Sequence, residues 1–173
     1  LSKTVGGGMR VGWIAASGPV LERILAEKRA DDMHSSTLGQ LAMAGFLGDG
    51  AYPAHIERAR EFYRVRRDAL LEGIDEHMSG LVTVTTREAN GGHLWATLEL
   101  PLDENELITE AVHNGVTFVP GAAMLPERSH LTHMRLSYGF LSPDQLVEGT
   151  RRLGRAIRSL ASRPRVSEAV PIA

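Results

Sequence analysis

Apolar residues recur at helical spacing over most of the chain, and each such segment carries its own start or stop signal. A period of 3.6 residues with a polar opposite face is typical of an amphipathic helix packed on a core. Serine, proline or aspartate at the beginnings and glycine at several of the ends indicate the limits of these helices. We expect helices over Val20–Met33, from Ser35 to Gly48, from Pro53 to about Met78, from Asp103 to Gly115, and from Ser142 to about Ala161.

Five shorter segments have patterns typical of strands. Apolar and polar residues alternate in Leu81–Thr86 and His93–Leu100, as they do in a strand with one buried face. Met9–Ala16 is largely apolar, which predicts a buried strand, and we expect Trp13 and Trp95 to lie in the core. The remaining predicted strands are Val116–Val119 and Met134–Tyr138. Helices gathered against a small, mostly antiparallel sheet predict the α/β class, with an α+β small domain.

Composition limits the class of protein. The chain has 173 residues with 19 basic against 21 acidic side chains, a net charge of −2, which argues against nucleic acid as a partner of this portion. Cysteine is absent, so disulfide scaffolds and thiolate metal sites are excluded. No apolar run reaches the roughly 18 residues of a membrane span, and we expect no membrane partner and a cytoplasmic location.

Lysine is rare, and one lysine stands in a distinctive segment. The chain contains Lys3 and Lys28 only, and Lys3 is followed by three glycines and Arg10. A nucleotide-binding P-loop has its glycines before the lysine, so this segment does not fit one. Two interpretations remain: a surface lysine in a flexible loop, or an amine that forms a Schiff base beside an arginine that binds phosphate. Pyridoxal phosphate requires the second combination.

The segment around Lys3 resembles a known motif. Leu-Ser-Lys-Thr-Val-Gly-Gly-Gly-Met-Arg-Val-Gly-Trp is similar to the cofactor-lysine segment of the class I/II, fold-type I pyridoxal-phosphate-dependent aminotransferases. Further landmarks resemble the same family, in the same order, over about residues 1 to 161. They are the long helix from Tyr52 through Arg66-Arg67-Asp68, the stretch Gly91-Gly92-His93-Leu94-Trp95, the segment from Gly115-Val116 to Pro120-Gly121, and Met134–Tyr138 followed by Ser142-Pro143.

The resemblance implies roles for five residues. Lys3 would form the Schiff base with pyridoxal phosphate and act as the catalytic general base, while Arg10 and Ser2 would bind the cofactor phosphate. Arg135 would bind the substrate α-carboxylate in a bidentate pair, and Gly92 would let the substrate approach the small-domain wall. The alternatives are a strand arginine paired with a glutamate for Arg135, a salt bridge for Arg10, a surface lysine for Lys3 and a plain hairpin turn for Gly92.

The same resemblance implies how the chain is organised. Residues 1–50 are expected to be a remnant of the large cofactor-binding domain, with the lysine loop, a strand and helices. Residues 51–161 are expected to form the C-terminal small domain, and 162–173 a flexible tail. The family's partner for the pyridine nitrogen would precede Leu1. We therefore expect these 173 residues alone neither to hold pyridoxal phosphate firmly nor to catalyse.

The expected function is that of part of an aminotransferase. The parent protein, expected to be a homodimer, would move an amino group between an α-amino acid and a 2-oxo acid. The alternative is the pyridoxal-phosphate-binding effector domain of a GntR/MocR-type transcriptional regulator, which the long helix resembles equally. An interaction domain without cofactor would require Lys3, Arg10 and Arg135 all to be incidental. No metal is expected, because His130 and His133 would supply only two of the three protein ligands that a catalytic zinc site requires.

Overall fold

The computed structural model describes residues 1–88, 91–127 and 129–163, so most of the tail predicted over 162–173 lies outside the described residues. The helices are α1 (Gly18–Asp31), α2 (Thr37–Gly48), α3 (Ala51–His77), α4 (Glu104–His113) and α5 (Pro143–Ala161). The strands are β1 (Val82–Val84), β2 (His93–Leu98), β3 (Val119–Pro120) and β4 (His133–Ser137). The chain divides into two compact units, Leu1–Glu61 and Phe62–Ala173, and the division falls within α3.

The second unit contains a four-stranded antiparallel sheet with the order β1-β2-β4-β3. The central pair, β2 and β4, places Leu94 opposite Leu136 and Ala96 opposite Met134. These four side chains are buried, while the alternate residues of both strands lie on the other face. Since successive side chains of a strand point to opposite faces, the sheet has one covered and one outer face. The predicted fold class, with its small antiparallel sheet, is confirmed.

The helices of this unit cover one face of the sheet. The core contains Leu70, Ile74 and Met78 of α3 and its end, Leu107 and Ala111 of α4, Leu146, Leu153, Ile157 and Leu160 of α5, and the buried residues of the strands. Close packing requires small residues where α3 and α5 meet. An added Cβ at Gly73 would lie 2.4 Å from the Thr150 hydroxyl, and one at Gly154 would lie 2.4 Å from the His77 carbonyl. Glycine at both positions therefore allows the two helices to approach each other.

Local signals explain where these helices begin. The Asp103 carboxylate accepts hydrogen bonds from the backbone nitrogens of Asn105 and Glu106 and so caps α4. Ser142 and Gln145 form a capping box at the start of α5, ahead of a proline in its first turn. Such caps satisfy backbone donors that have no partner inside the helix.

The first unit has little core of its own. It contains α1, α2 and the first part of α3. Among its described residues, Met43 alone is as fully buried as the core residues of the second unit. The predicted apolar face of α2 is largely exposed, with Leu38 79% and Leu41 66% accessible, while Leu21 and Ile24 of α1 are half-buried. An amphipathic face is buried only when a second surface covers it, and no such surface lies within residues 1–61.

Two expectations for the first unit are wrong. Met9–Ala16 forms no strand: a 3-10 turn over Gly7–Met9 is followed by irregular chain. A strand exists only when it pairs with another, and the described part of this unit contains no strand to pair with it. Trp13, expected in the core, is 77% exposed. In the second unit Trp95 lies on the outer face of the sheet rather than among the core residues.

No described helix is both long enough and apolar enough to cross a membrane.

Candidate functional site

The segment of residues 1–12, called here the lysine loop, turns back on itself. The backbone nitrogens of Thr4 and Val5 both donate to the carbonyl of Leu1, at 3.2 and 2.9 Å. The terminal amino group of Leu1 in turn donates to the Val11 carbonyl at 2.8 Å. Between these bonds the chain passes Arg10, whose φ of 49° lies in the left-handed region that side-chain-bearing residues rarely adopt. The loop therefore brings its two ends together.

The lysine loop borders a shallow concavity that is largely open to solvent. Its volume is about 360 Å³, and it is lined by Ser2, Lys3, Thr4 and Arg10 together with Leu1, Val11 and Gly12. Lys3 and Arg10, seven positions apart in sequence, thus face the same space. The three residues of this loop that the sequence singles out, Ser2, Lys3 and Arg10, all lie along its wall.

The donors in this concavity fit a phosphorylated aldehyde. A lysine amine can condense with an aldehyde, and a guanidinium and a hydroxyl are good partners for phosphate oxygens. The volume lies at the lower end of the range for pockets that hold small ligands, which suits a single-ring cofactor. The chemistry of Ser2, Lys3 and Arg10 is therefore compatible with pyridoxal phosphate.

Arg135 lies on the outer face of the sheet in the second unit. It pairs with Trp95 of β2 and with Val119 of β3 in the strand register, so it sits in the middle of the sheet. The Nε atom of Arg135 is buried and has no hydrogen-bond partner among the described residues. An unsatisfied buried donor is unfavourable, and an anionic ligand is the natural partner for a guanidinium in that state. The interpretation of Arg135 as a structural arginine paired with a glutamate finds no such pair in the described residues.

Gly92 lies where the chain enters β2. Its carbonyl accepts a hydrogen bond from the backbone nitrogen of Tyr138 at 3.0 Å. An added Cβ would lie 4.0 Å from Cε1 of Tyr63, which is ordinary contact, so packing within the chain does not demand glycine here. The predicted role of Gly92 in admitting substrate stays a prediction. Tyr138 itself is buried behind this turn, and burial raises the pKa of its hydroxyl.

The outer face next to Arg135 also carries His133, which the sequence offered only as half of a histidine pair. Its Nδ1 lies 3.0 Å from the Thr97 hydroxyl, and its Nε2 lies 3.0 Å from the Ser129 hydroxyl. The ring of Trp95 stacks on the imidazole at a centroid distance of 5.5 Å and an angle of 25°. Both nitrogens thus have hydroxyl neighbours, and within the described ranges no group of three His, Asp or Glu side chains could hold a metal ion.

A contact that sequence reasoning missed joins the lysine loop to α3. Nε2 of His55 lies 2.7 Å from the Thr4 carbonyl, across 51 positions of sequence. His55 belongs to the Tyr52–Ile56 stretch that resembles the aminotransferase helix, but no spacing rule links it to Thr4. A contact of this kind is visible only in the three-dimensional structure.

Comparison with known proteins identifies the class. No protein-family model matches the chain. The chain is 33% identical to the aromatic-amino-acid aminotransferase 1 of Thermococcus litoralis over 157 residues, 91% of this chain and 37% of the relative. The crystal structure of LysN, the alpha-aminoadipate aminotransferase of Thermus thermophilus complexed with N-(5'-phosphopyridoxyl)-L-leucine, superposes with a TM-score of 0.84 at 30% identity, covering 92% of this chain and 41% of LysN.

A regulator is also among the relatives. The uncharacterized HTH-type transcriptional regulator YdfD of Bacillus subtilis is 32% identical over 163 residues, 94% of this chain and 33% of YdfD. In sequence and fold the chain is similar to part of the fold-type I pyridoxal-phosphate-dependent aminotransferases, as the resemblance implied. It spans about two fifths of the length of the aminotransferases it matches.

Proposed function

We propose that the chain carries the lysine and the carboxylate-binding arginine of an aminotransferase active site. The observation that carries the proposal is the concavity that Lys3 shares with Ser2 and Arg10. The whole protein would move an amino group between an α-amino acid and a 2-oxo acid, with pyridoxal phosphate as cofactor. Similarity to aminotransferases over nine tenths of the chain supports this function.

Each residue of the lysine loop has a defined task in the proposed reaction. Pyridoxal phosphate, when bound, supplies an aldehyde for condensation with amines and a ring that accepts electrons. Arg10 and Ser2 hold the phosphate through a charged and a neutral hydrogen bond. The Lys3 amine would act as the general base that accepts the proton from the substrate Cα.

Arg135 performs the complementary task in the second unit. Its guanidinium binds the α-carboxylate that amino-acid and 2-oxo-acid substrates share, so one group serves both half-reactions. The buried Nε, which has no hydrogen-bond partner in the described part of the chain, supports this assignment, because a bidentate carboxylate would satisfy it. Gly92 would leave room for the substrate beside the sheet.

Reductive trapping tests the role of Lys3. The chain is incubated with pyridoxal phosphate, reduced with borohydride, digested and mapped by mass spectrometry. We expect the pyridoxyl group on Lys3 in preference to Lys28, which lies on α1 beside Asp32 and serves as an internal control. Arg10→Met should reduce labelling of Lys3, whereas Arg29→Met, on the same helix as Lys28, should not. Labelling of Lys28 equal to that of Lys3 would contradict the proposal.

Self-association forms a second part of the proposal. The first unit exposes large apolar side chains, including Trp13, Ile14 and Leu38, at 77%, 71% and 79%. Apolar patches of this kind are typical of surfaces that a partner covers, and a second copy of the parent protein is the partner expected from the resemblance. Sedimentation should reveal dimers, and a strictly monomeric profile would contradict this part. A cytoplasmic location is likewise proposed, to be tested by cell fractionation.

The similarity to YdfD favours a second candidate function. In that case the chain would belong to the effector domain of a transcriptional regulator, and the same lysine and arginines would sense a ligand rather than turn substrate over. The sequence preceding Leu1 in the source genome separates the two functions. A winged-helix segment there would favour the regulator, and a large cofactor-binding domain without one would favour the enzyme.

A further inference from the structure

His55 makes a hydrogen bond that reaches from the long helix to the lysine loop. Its side chain is partly buried on the first turns of α3, and its Nε2 lies 2.7 Å from the Thr4 carbonyl. A carbonyl oxygen can only accept, so Nε2 carries the proton and donates. The acceptor belongs to the residue that directly follows Lys3.

The direction of this donor is set by aromatic packing. The His55 ring meets the Phe46 ring edge to face, with centroids 5.4 Å apart and an angle of 84°. Phe46, on α2, also meets Tyr52 edge to face at 6.2 Å. Because the Phe46 ring packs against the imidazole, the side chain of His55 is already held in place. Its Nε2 can therefore bond to Thr4 at little additional cost in side-chain entropy.

The loop's other bonds are local. The turn at Leu1, Thr4 and Val5 closes on itself, so it fixes the shape of the loop but not its position on the helices. The loop also touches α2 at Gly39, where an added Cβ would lie 3.3 Å from the Val11 side chain. That contact involves Val11, eight positions after Lys3 in the sequence, and provides no hydrogen-bond donor to the backbone beside Lys3.

We propose that His55 is a positioning residue for Lys3. By holding the Thr4 carbonyl, it fixes the backbone beside Lys3 and keeps the lysine amine on the same side of the loop as Ser2 and Arg10. The effect of His55 on the reaction rests on the proposed function. The anchoring of the loop by His55 does not, and it can be measured without any cofactor.

Two variants of the full chain separate the hydrogen bond from the ring packing. His55→Phe keeps a ring against Phe46 but removes the donor, and His55→Gln keeps an amide donor at the position of Nε2. His34→Phe is the matched control, because the His34 ring bonds to the adjacent Ser35 carbonyl, outside the lysine loop. Hydrogen exchange of the Thr4 and Val5 amides, followed by NMR, reports the loop directly.

We expect these amides to exchange roughly fivefold faster in His55→Phe, the factor for a net hydrogen bond of about 1 kcal/mol. His55→Gln should restore slow exchange, and His34→Phe should leave it unchanged. Reductive trapping should show the same order in the ratio of pyridoxyl-Lys3 to pyridoxyl-Lys28. Reduction captures transient adducts, so firm cofactor binding is not required.

Three results would overturn the inference. The first is exchange in His55→Phe equal to that of the natural chain, and the second is an equal acceleration in both His55 variants. The third is a Lys3 to Lys28 ratio that does not respond to His55→Phe when the natural chain prefers Lys3. If the natural chain shows no preference for Lys3, the proposed function fails, and the exchange measurement still decides whether His55 anchors the loop.

Discussion

Replacing Arg135 by methionine is expected to stabilise the fold, although it removes the group proposed to bind substrate. The Nε of Arg135 is buried without a partner among the described residues. An unsatisfied buried donor costs about 1–3 kcal/mol, and a side chain that is only partly buried falls at the lower end. Methionine preserves the length and the apolar contacts of the stem. The expected gain in the free energy of unfolding is therefore about 1 kcal/mol.

Arg152 provides a matched control for this experiment. It lies on α5 with its Nε 2.7 Å from a Glu148 carboxylate oxygen and its Nη1 3.2 Å from the Gly115 carbonyl. Arg152→Met loses both partners, so it is expected to lower the free energy of unfolding by up to about 1 kcal/mol. In a domain of this size each kcal/mol shifts the melting temperature by about 2–4 °C. The two variants should therefore move the melting temperature in opposite directions.

Thermal and urea unfolding, followed by circular dichroism, measure both variants. A carboxylate ligand such as a 2-oxo acid, added in excess, should raise the melting temperature of the natural chain but not that of Arg135→Met, because a ligand stabilises only the state that binds it. If Arg135→Met lowers the melting temperature as much as Arg152→Met, Arg135 contributes to the fold. The argument from its buried Nε to carboxylate binding would then be wrong.

Two further predictions concern α5. Gly154→Ala should destabilise by about 1–3 kcal/mol, because its Cβ would lie 2.4 Å from the His77 carbonyl, whereas Gly149→Ala, with open space around it, should stabilise by up to about 1 kcal/mol; urea unfolding compares them. Hydrogen bonds from Arg151, and to a smaller extent from Arg152, lower the pKa of Glu148 from 4.5 to about 2. A depressed carboxylate pKa stabilises the fold above the unfolded value, and this contribution is lost as the pH falls from about 4.5 to about 2. Glu148→Gln should therefore flatten the fall of the melting temperature in that interval, and an unchanged slope would contradict the assignment.

Much of the second unit could be predicted because its signals are local. The alternation in β2 and β4 places one set of side chains in the core, and each strand carries this information in its own sequence. The caps at Asp103 and Ser142 likewise depend on residues three positions apart. The positions of Arg135 on the outer face and of Leu94 on the inner face follow from the same period of two.

The first unit was harder to predict because its outcome depends on surfaces beyond the local sequence. The apolar pattern of Met9–Ala16 is compatible with a strand, but pairing requires a neighbour, and the described residues of that unit supply none. Trp13 is exposed for the same reason, since nothing in residues 1–61 covers it. The bond from His55 to Thr4 joins residues 51 positions apart, and no periodic pattern in the sequence indicates a contact at that separation.

The two arginines proposed to bind anions share a feature that sequence patterns do not show: each is unfavourable for the fold where it stands. Arg10 has a φ of 49°, a conformation that glycine adopts at no steric cost. Arg135 has a buried Nε that finds no partner in the ranges the structure describes, and an apolar side chain would have no such donor to satisfy. Stability alone would favour glycine at position 10 and an apolar residue at position 135. Because sites of function are where such local conflicts are tolerated, both conflicts support the proposal that these two arginines bind anions.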